Sequence, residues 1–107
     1  MSAKKIRELN DELRKTFSGG KFVITPGVEA LSDTDKEILF NKLKNFSSFN
    51  EHNDPYKEHD FGCIKFKGEQ YFFKIDYYDV DYRCLSPEPS DPAVTCRVLT
   101  LMKAEEY

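Results

Sequence analysis

Phe61-Gly62-Cys63-Ile64-Lys65-Phe66-Lys67-Gly68-Glu69-Gln70-Tyr71-Phe72-Phe73-Lys74-Ile75-Asp76-Tyr77-Tyr78 decides the fold. Two apolar-polar alternating runs flank Gly68-Glu69, and glycine at the first central position fits a type II′ hairpin turn. That turn sets Lys67 against Gln70, Phe66 against Tyr71, Ile64 against Phe73 and Phe61 against Asp76. Opposed residues share a face. One face then collects Ile64, Phe66, Tyr71, Phe73, Ile75 and Tyr77. The other collects Cys63, Lys65, Lys67, Gln70, Phe72, Lys74 and Asp76. A slip of one residue would mix the sets, so the facing is well specified.

The apolar hairpin face needs a cover, and the N-terminal half supplies one. Ile6, Leu9, Leu13 and Phe17 recur every three or four residues, which predicts a helix capped by Ser2 and ended by Ser18-Gly19-Gly20. Lys21 to Thr25 reads as a short strand closed by Pro26-Gly27. Ser32-Asp33-Thr34-Asp35 is a helix start, because serine accepts a bond from a free backbone N–H and acidic residues suit the positive end of the helix dipole. Leu39, Leu43 and Phe46 form the buried stripe of that second helix, with Ile38 and Phe40 beside it.

The C-terminal half supplies the remaining strand. Leu85 to Pro92 holds three prolines and reads as a loop. Val94 to Lys103 is rich in β-branched residues and reads as a final strand, in preference to a helix started at Ser90-Asp91-Pro92. The expectation is a single α+β domain over residues 1–107. Two helices pack on one face of an antiparallel sheet of about four strands.

Composition narrows the function classes. The chain has 107 residues, 16 basic and 19 acidic, for a net charge of −3. Residues 1–50 carry +2 and residues 51–107 carry −5. No basic run stands out, which argues against direct nucleic-acid binding, where phosphate neutralisation supplies most of the affinity. Apolar runs are at most three residues long, too short for a membrane span or a signal peptide. Cys63, Cys84 and Cys96 are widely spaced, with no Cys-x-x-Cys pair, and read as reduced thiols of a cytoplasmic protein.

Three clusters carry polar chemistry. Glu58-His59-Asp60 lies beside His52 and Asp54, and the expected register brings Asp76 to the same end of the hairpin. His52, His59, Asp60 and Asp76 are candidate ligands for a divalent metal, and His59, Asp60 and Asp76 a candidate acid–base set. The plain structural reading is that these side chains cap backbone groups of a polar loop, Phe49 to Asp60, in which case there is no cofactor. The second cluster is Tyr77, Tyr78, Asp79, Asp81 and Tyr82. Tyrosines and carboxylates alternating at a strand end suit contact with a basic protein, and also suit a solvated sheet edge. The third, Lys65, Lys67 and Lys74 around Phe72, is too sparse for a single-stranded nucleic-acid platform and reads as a charged face. There is no Gly-rich phosphate loop and no nucleophile elbow.

Several segments resemble one family. They are Ile6 to Asn10, Ser18-Gly19-Gly20, Glu58 to Gly62, Lys74 to Asp79, Asp91 to Thr95, Arg97 to Thr100 and Glu106-Tyr107. In order along nearly the whole chain, they are similar to an uncharacterised bacterial family, domain of unknown function 3768. Lys57 stands where that pattern carries glycine, and Cys84-Leu85 depart from its usual turn. The resemblance implies short, soluble, single-domain bacterial proteins often associated with plasmids and other mobile elements, with no activity to carry over. Taken together, the residues favour a non-enzymatic interaction protein. The expected partner is a host protein, such as a nucleic-acid-binding defence component blocked by the acidic tyrosine surface. The alternative is a metal-dependent hydrolase centred on the His/Asp cluster.

Overall fold

The computed structural model describes residues 2–107. The first helix, α1, spans Ala3–Thr16. The Ser2 hydroxyl caps it by accepting a bond from the Lys5 N–H at 3.1 Å. It stops at Thr16, before Ser18-Gly19-Gly20: Phe17 takes the left-handed conformation, φ 58°, and its N–H donates to the Leu13 carbonyl. Strand β1 (Lys21–Ile24) leads into a single helical turn, α2 (Pro26–Glu29), where Pro26-Gly27 was expected to make only a turn. Proline suits the first helical position because its missing N–H is not needed there. Helix α3 spans Asp33–Lys44, capped by Ser32 as its sequence requires.

Strands β2 (Phe61–Phe66), β3 (Glu69–Tyr78) and β4 (Cys96–Lys103) follow. Residues 94–95 stay outside the last strand, which otherwise forms as read. The sheet order is β1-β4-β3-β2. The β2–β3 and β3–β4 pairs are antiparallel, whereas β1 runs parallel to β4, so the sheet is mixed. The intervening chain returns β1 and β4 in the same direction, which a hairpin cannot do.

The hairpin keeps its faces and changes its register. Phe66 opposes Glu69, Ile64 opposes Tyr71 and Phe61 opposes Lys74. The loop is therefore Lys67-Gly68, not Gly68-Glu69. Both loop residues have positive φ, 52° and 79°, which is a type I′ turn whose twist matches the strands. The shift amounts to two residues along one strand, so every side chain keeps its face. Ile64, Phe66, Tyr71, Phe73 and Ile75 are all buried.

The core lies between this inner face and helices α1 and α3. Leu13, Leu39, Leu43, Leu99 and Leu101 complete it. Gly62 lets the Phe46 ring in from the end of α3: a Cβ there would lie 2.7 Å from Phe46 and would also meet Phe73. These two rings meet edge to face at 5.1 Å. The C-terminus is tied down by Glu106, whose carboxylate accepts bonds from the Thr25 hydroxyl at 2.6 Å and from the N–H groups of Gly27 and Lys103, both at 2.9 Å. Among the described residues no helix is long and apolar enough to cross a membrane.

Candidate functional site

Helix α1 buries polar residues as well as apolar ones. Its buried positions are Ile6, Asn10, Leu13 and Arg14, with Leu9 only half-buried. Asn10 is fully buried and fully bonded. Its amide nitrogen donates to the Glu58 carbonyl at 2.9 Å and to the Tyr77 hydroxyl oxygen at 2.7 Å. Its oxygen accepts from Arg97 Nε at 3.0 Å. Tyr77 in turn donates to the Glu58 carboxylate at 2.8 Å, and the Arg97 guanidinium lies over the Tyr77 ring and reaches the Pro89 carbonyl. Burial, and the Glu58 carboxylate after it, raise the Tyr77 hydroxyl far above the ordinary tyrosine value. Burial lowers Arg97. Buried polar groups of this kind are tolerated because each finds partners. Tyr77 was expected to meet a partner protein. It points inward instead, because β3 places it on the same face as Phe73 and Ile75.

His59 follows from Asp54. The Asp54 side chain is buried, and its Oδ1 accepts bonds from the Glu58 and His59 N–H groups at 2.9 and 3.0 Å. That loop passes through two left-handed residues, Lys57 at φ 60° and His59 at φ 57°. At both positions an L side chain occupies a conformation that glycine adopts more readily. The His59 ring stacks on Phe49 at 3.8 Å, with Nδ1 2.8 Å from Asp11 and Nε2 3.6 Å from Asp54. Asp11 also accepts from Arg14 Nη1 at 2.8 Å. Burial raises the Asp11 carboxyl, but the hydrogen bonds from His59 and Arg14 outweigh it and hold it below the ordinary value. With a carboxylate at each ring nitrogen, His59 is a strut between α1 and the loop.

The expected cluster of His59, Asp60 and Asp76 does not assemble. Asp60 lies where the chain joins β2; its carbonyl accepts from the Ile75 N–H. Burial, and then the charges of Glu58, Asp54 and Asp76, raise its carboxyl. Asp76 occupies the other face of the sheet, paired with Lys74 at 2.9 Å. His52 is exposed in a turn, its N–H donating to the Asn50 side chain. Among the described residues no group of three or more His, Cys, Asp or Glu is placed to hold a metal ion. The partner that His59 does meet, Asp11, is 48 residues away in sequence. The available signal was Asn10 at helical spacing between Ile6 and Leu13, a polar residue on a buried stripe.

The remaining candidates gather on the outer face. Tyr78 ends β3 there, and residues 79–85 turn away from the strand. Asp79 closes this turn: its Oδ1 accepts from the N–H groups of Asp81 and Arg83 at 3.2 and 3.0 Å, and its own N–H donates to the Cys84 carbonyl. The turn brings Tyr82 to 6.0 Å from Tyr78, with the Lys21 ammonium 4.4 Å from the Tyr82 ring centre. Asp81 is exposed, and so are Val80 (58%), Tyr82 (44%) and Leu85 (78%). Of the expected contact set, then, Tyr78, Asp81 and Tyr82 face outward, Asp79 shapes the loop and Tyr77 lies half-buried on the inner face.

With this geometry described, comparison with known proteins adds one relation. The family model described as Protein of unknown function (DUF3768) matches residues 24–106. The chain belongs to this family. The matched range of the DUF3768 domain starts at the last residue of β1 and includes α2, α3, the hairpin and β4. Helix α1, which carries Asn10, Asp11 and Arg14, precedes it. No curated protein matches the chain, and no solved structure does.

Proposed function

We propose that this DUF3768 protein is a non-enzymatic interaction module that binds another protein through the 78–85 segment and the adjoining outer face of the sheet. The observation that carries this reading is the exposure of Val80, Tyr82 and Leu85 together on one short turn whose backbone Asp79 holds in place. Large apolar side chains clustered on a braced loop present contact area with little ordering cost. Exposed Asp81, beside Arg83 and Lys21, offers a carboxylate to a basic group of the partner. The surface of a host nucleic-acid-binding protein carries such groups, and blocking it is the role we assign. Three free thiols fit a reducing compartment, so we place the protein in the cytoplasm.

The test is capture of partners from bacterial lysate by the wild-type chain and by a Val80→Asp/Asp81→Lys/Tyr82→Ala variant. The expected result is a stoichiometric basic partner held by the wild type and lost by the variant, at equal melting temperature. No partner, or equal retention by both chains, overturns the proposal.

A further inference from the structure

Between the C-terminal ends of α1 and α3 lies a cleft of about 700 Å³ that the interaction surface does not use. Arg14, Lys15, Lys44 and His59 line it, with Asp11 as its one carboxylate. Counting His59 as neutral, that lining carries +2 in a chain of −3. Asp11 is already engaged by Arg14 and His59, so its charge is locally matched.

Arg14 is the second observation. Its side chain is 2% exposed, lying 5.2 Å from the Phe49 ring centre and 6.0 Å from that of Phe73. The aromatic rings hold the guanidinium in place. Nη1 has Asp11, but Nε is buried with no hydrogen-bond partner. That Nε is sealed inside the protein, so it marks a cost of burying this guanidinium and is not the atom a ligand meets; Arg14 reaches the cleft as one of its lining residues. Arginine's fixed fork suits an oxyanion, and two lysines at the rim add unspecific attraction. The Phe49 ring has His59 stacked on it and the Arg14 guanidinium over it, so it offers no free face on which a base could stack, which disfavours a nucleic-acid strand.

We infer that this cleft binds a phosphoryl oxyanion, either inorganic phosphate or the phosphate of a small monoester, with Arg14 as the anchor and Lys15 and Lys44 as flanking cations. The experiment titrates the full chain with millimolar inorganic phosphate and, separately, with a nucleoside monophosphate, at ionic strength held constant with potassium chloride. Phosphorus NMR line width and melting temperature are followed. The expected result is saturable broadening and a raised melting temperature relative to chloride. Arg14 supports the core, so the deciding variant is Lys15→Ala/Lys44→Ala, which keeps Arg14; Lys44 also lies over the Phe17 ring, so the variant's melting temperature without phosphate is measured alongside. This variant should weaken binding at least about tenfold. Tighter binding of the monoester identifies a phosphorylated small molecule, and tighter binding of phosphate identifies the free anion; either supports the site. No response beyond that of chloride, or an undiminished response in the double variant, overturns it.

Discussion

The two faces of the sheet are built from the same strands and alternate residues, yet they differ in kind. On the inner face Phe73, Leu99 and Leu101 are fully buried, and the polar groups that join them, Asn10, Arg97 and Tyr77, bond to one another. On the outer face Lys74 pairs with Asp76 in the middle. Phe61 and Phe72 pack against Tyr107 towards one end, and Tyr78 meets Tyr82 and Lys21 at the other. The inner face has helices over it and the outer face has only short segments at its ends. Stability should therefore be concentrated inside and recognition outside, and substitutions should separate the two.

The largest loss should come from Asn10→Ala. It strands the buried Arg97 Nε and removes the donor to the Glu58 carbonyl and the Tyr77 hydroxyl oxygen, and denaturant melts should show a loss of about 2–4 kcal/mol. Next is Gly62→Ala, expected to cost about 1–3 kcal/mol because the new methyl group meets Phe46 and Phe73 in a filled space. Tyr107→Ala, on the outer face, should cost only about 0.5–1.5 kcal/mol, since it removes edge contacts with Phe61 and Phe72 from a ring that is itself 74% exposed. If Tyr107→Ala proved as damaging as Asn10→Ala, the division between the faces would fail.

The smallest effects are of opposite sign and depend on pH. The Asp11 carboxyl is lowered on folding, so its contribution is complete above the ordinary value of 3.8 and disappears as pH falls through the lower folded value. Asp11→Asn should melt about 1–3 °C below wild type at pH 7, with the gap closing below that ordinary value. Asp60 is raised on folding, so its ionised form opposes folding at neutral pH. Asp60→Asn should melt about 1–3 °C above wild type at pH 7. That gain should shrink as acid protonates the native carboxyl. Melting curves of both variants from pH 7 to pH 2 check the signs.

Much of the architecture could be read before any coordinates. The inner face of the hairpin, the caps at Ser2 and Ser32 and the final strand follow from alternation and from short-range hydrogen bonding, which act within a few residues. The register was displaced by two because glycine was placed at the first turn position. Lys67 can adopt positive φ, and the type I′ turn then matches the strand twist better. Leu9 was expected on the buried stripe, and Asn10 was given no place there. Helical spacing permits either, and only the partners offered by Glu58, Tyr77 and Arg97 make Asn10 the better choice.

The candidate site was less legible, and the reason is range. His59 was matched with the carboxylates nearest along the hairpin, but the left-handed turn at His59 directs its ring to α1, where Asp11 and Phe49 receive it. Alternating polarity determined which hairpin residues share a face, since a pleated strand points successive side chains to opposite sides. Which faces meet which helix, and hence which charges become neighbours, was decided only when the chain closed on itself. Contacts between residues tens of positions apart leave no periodic trace in the sequence.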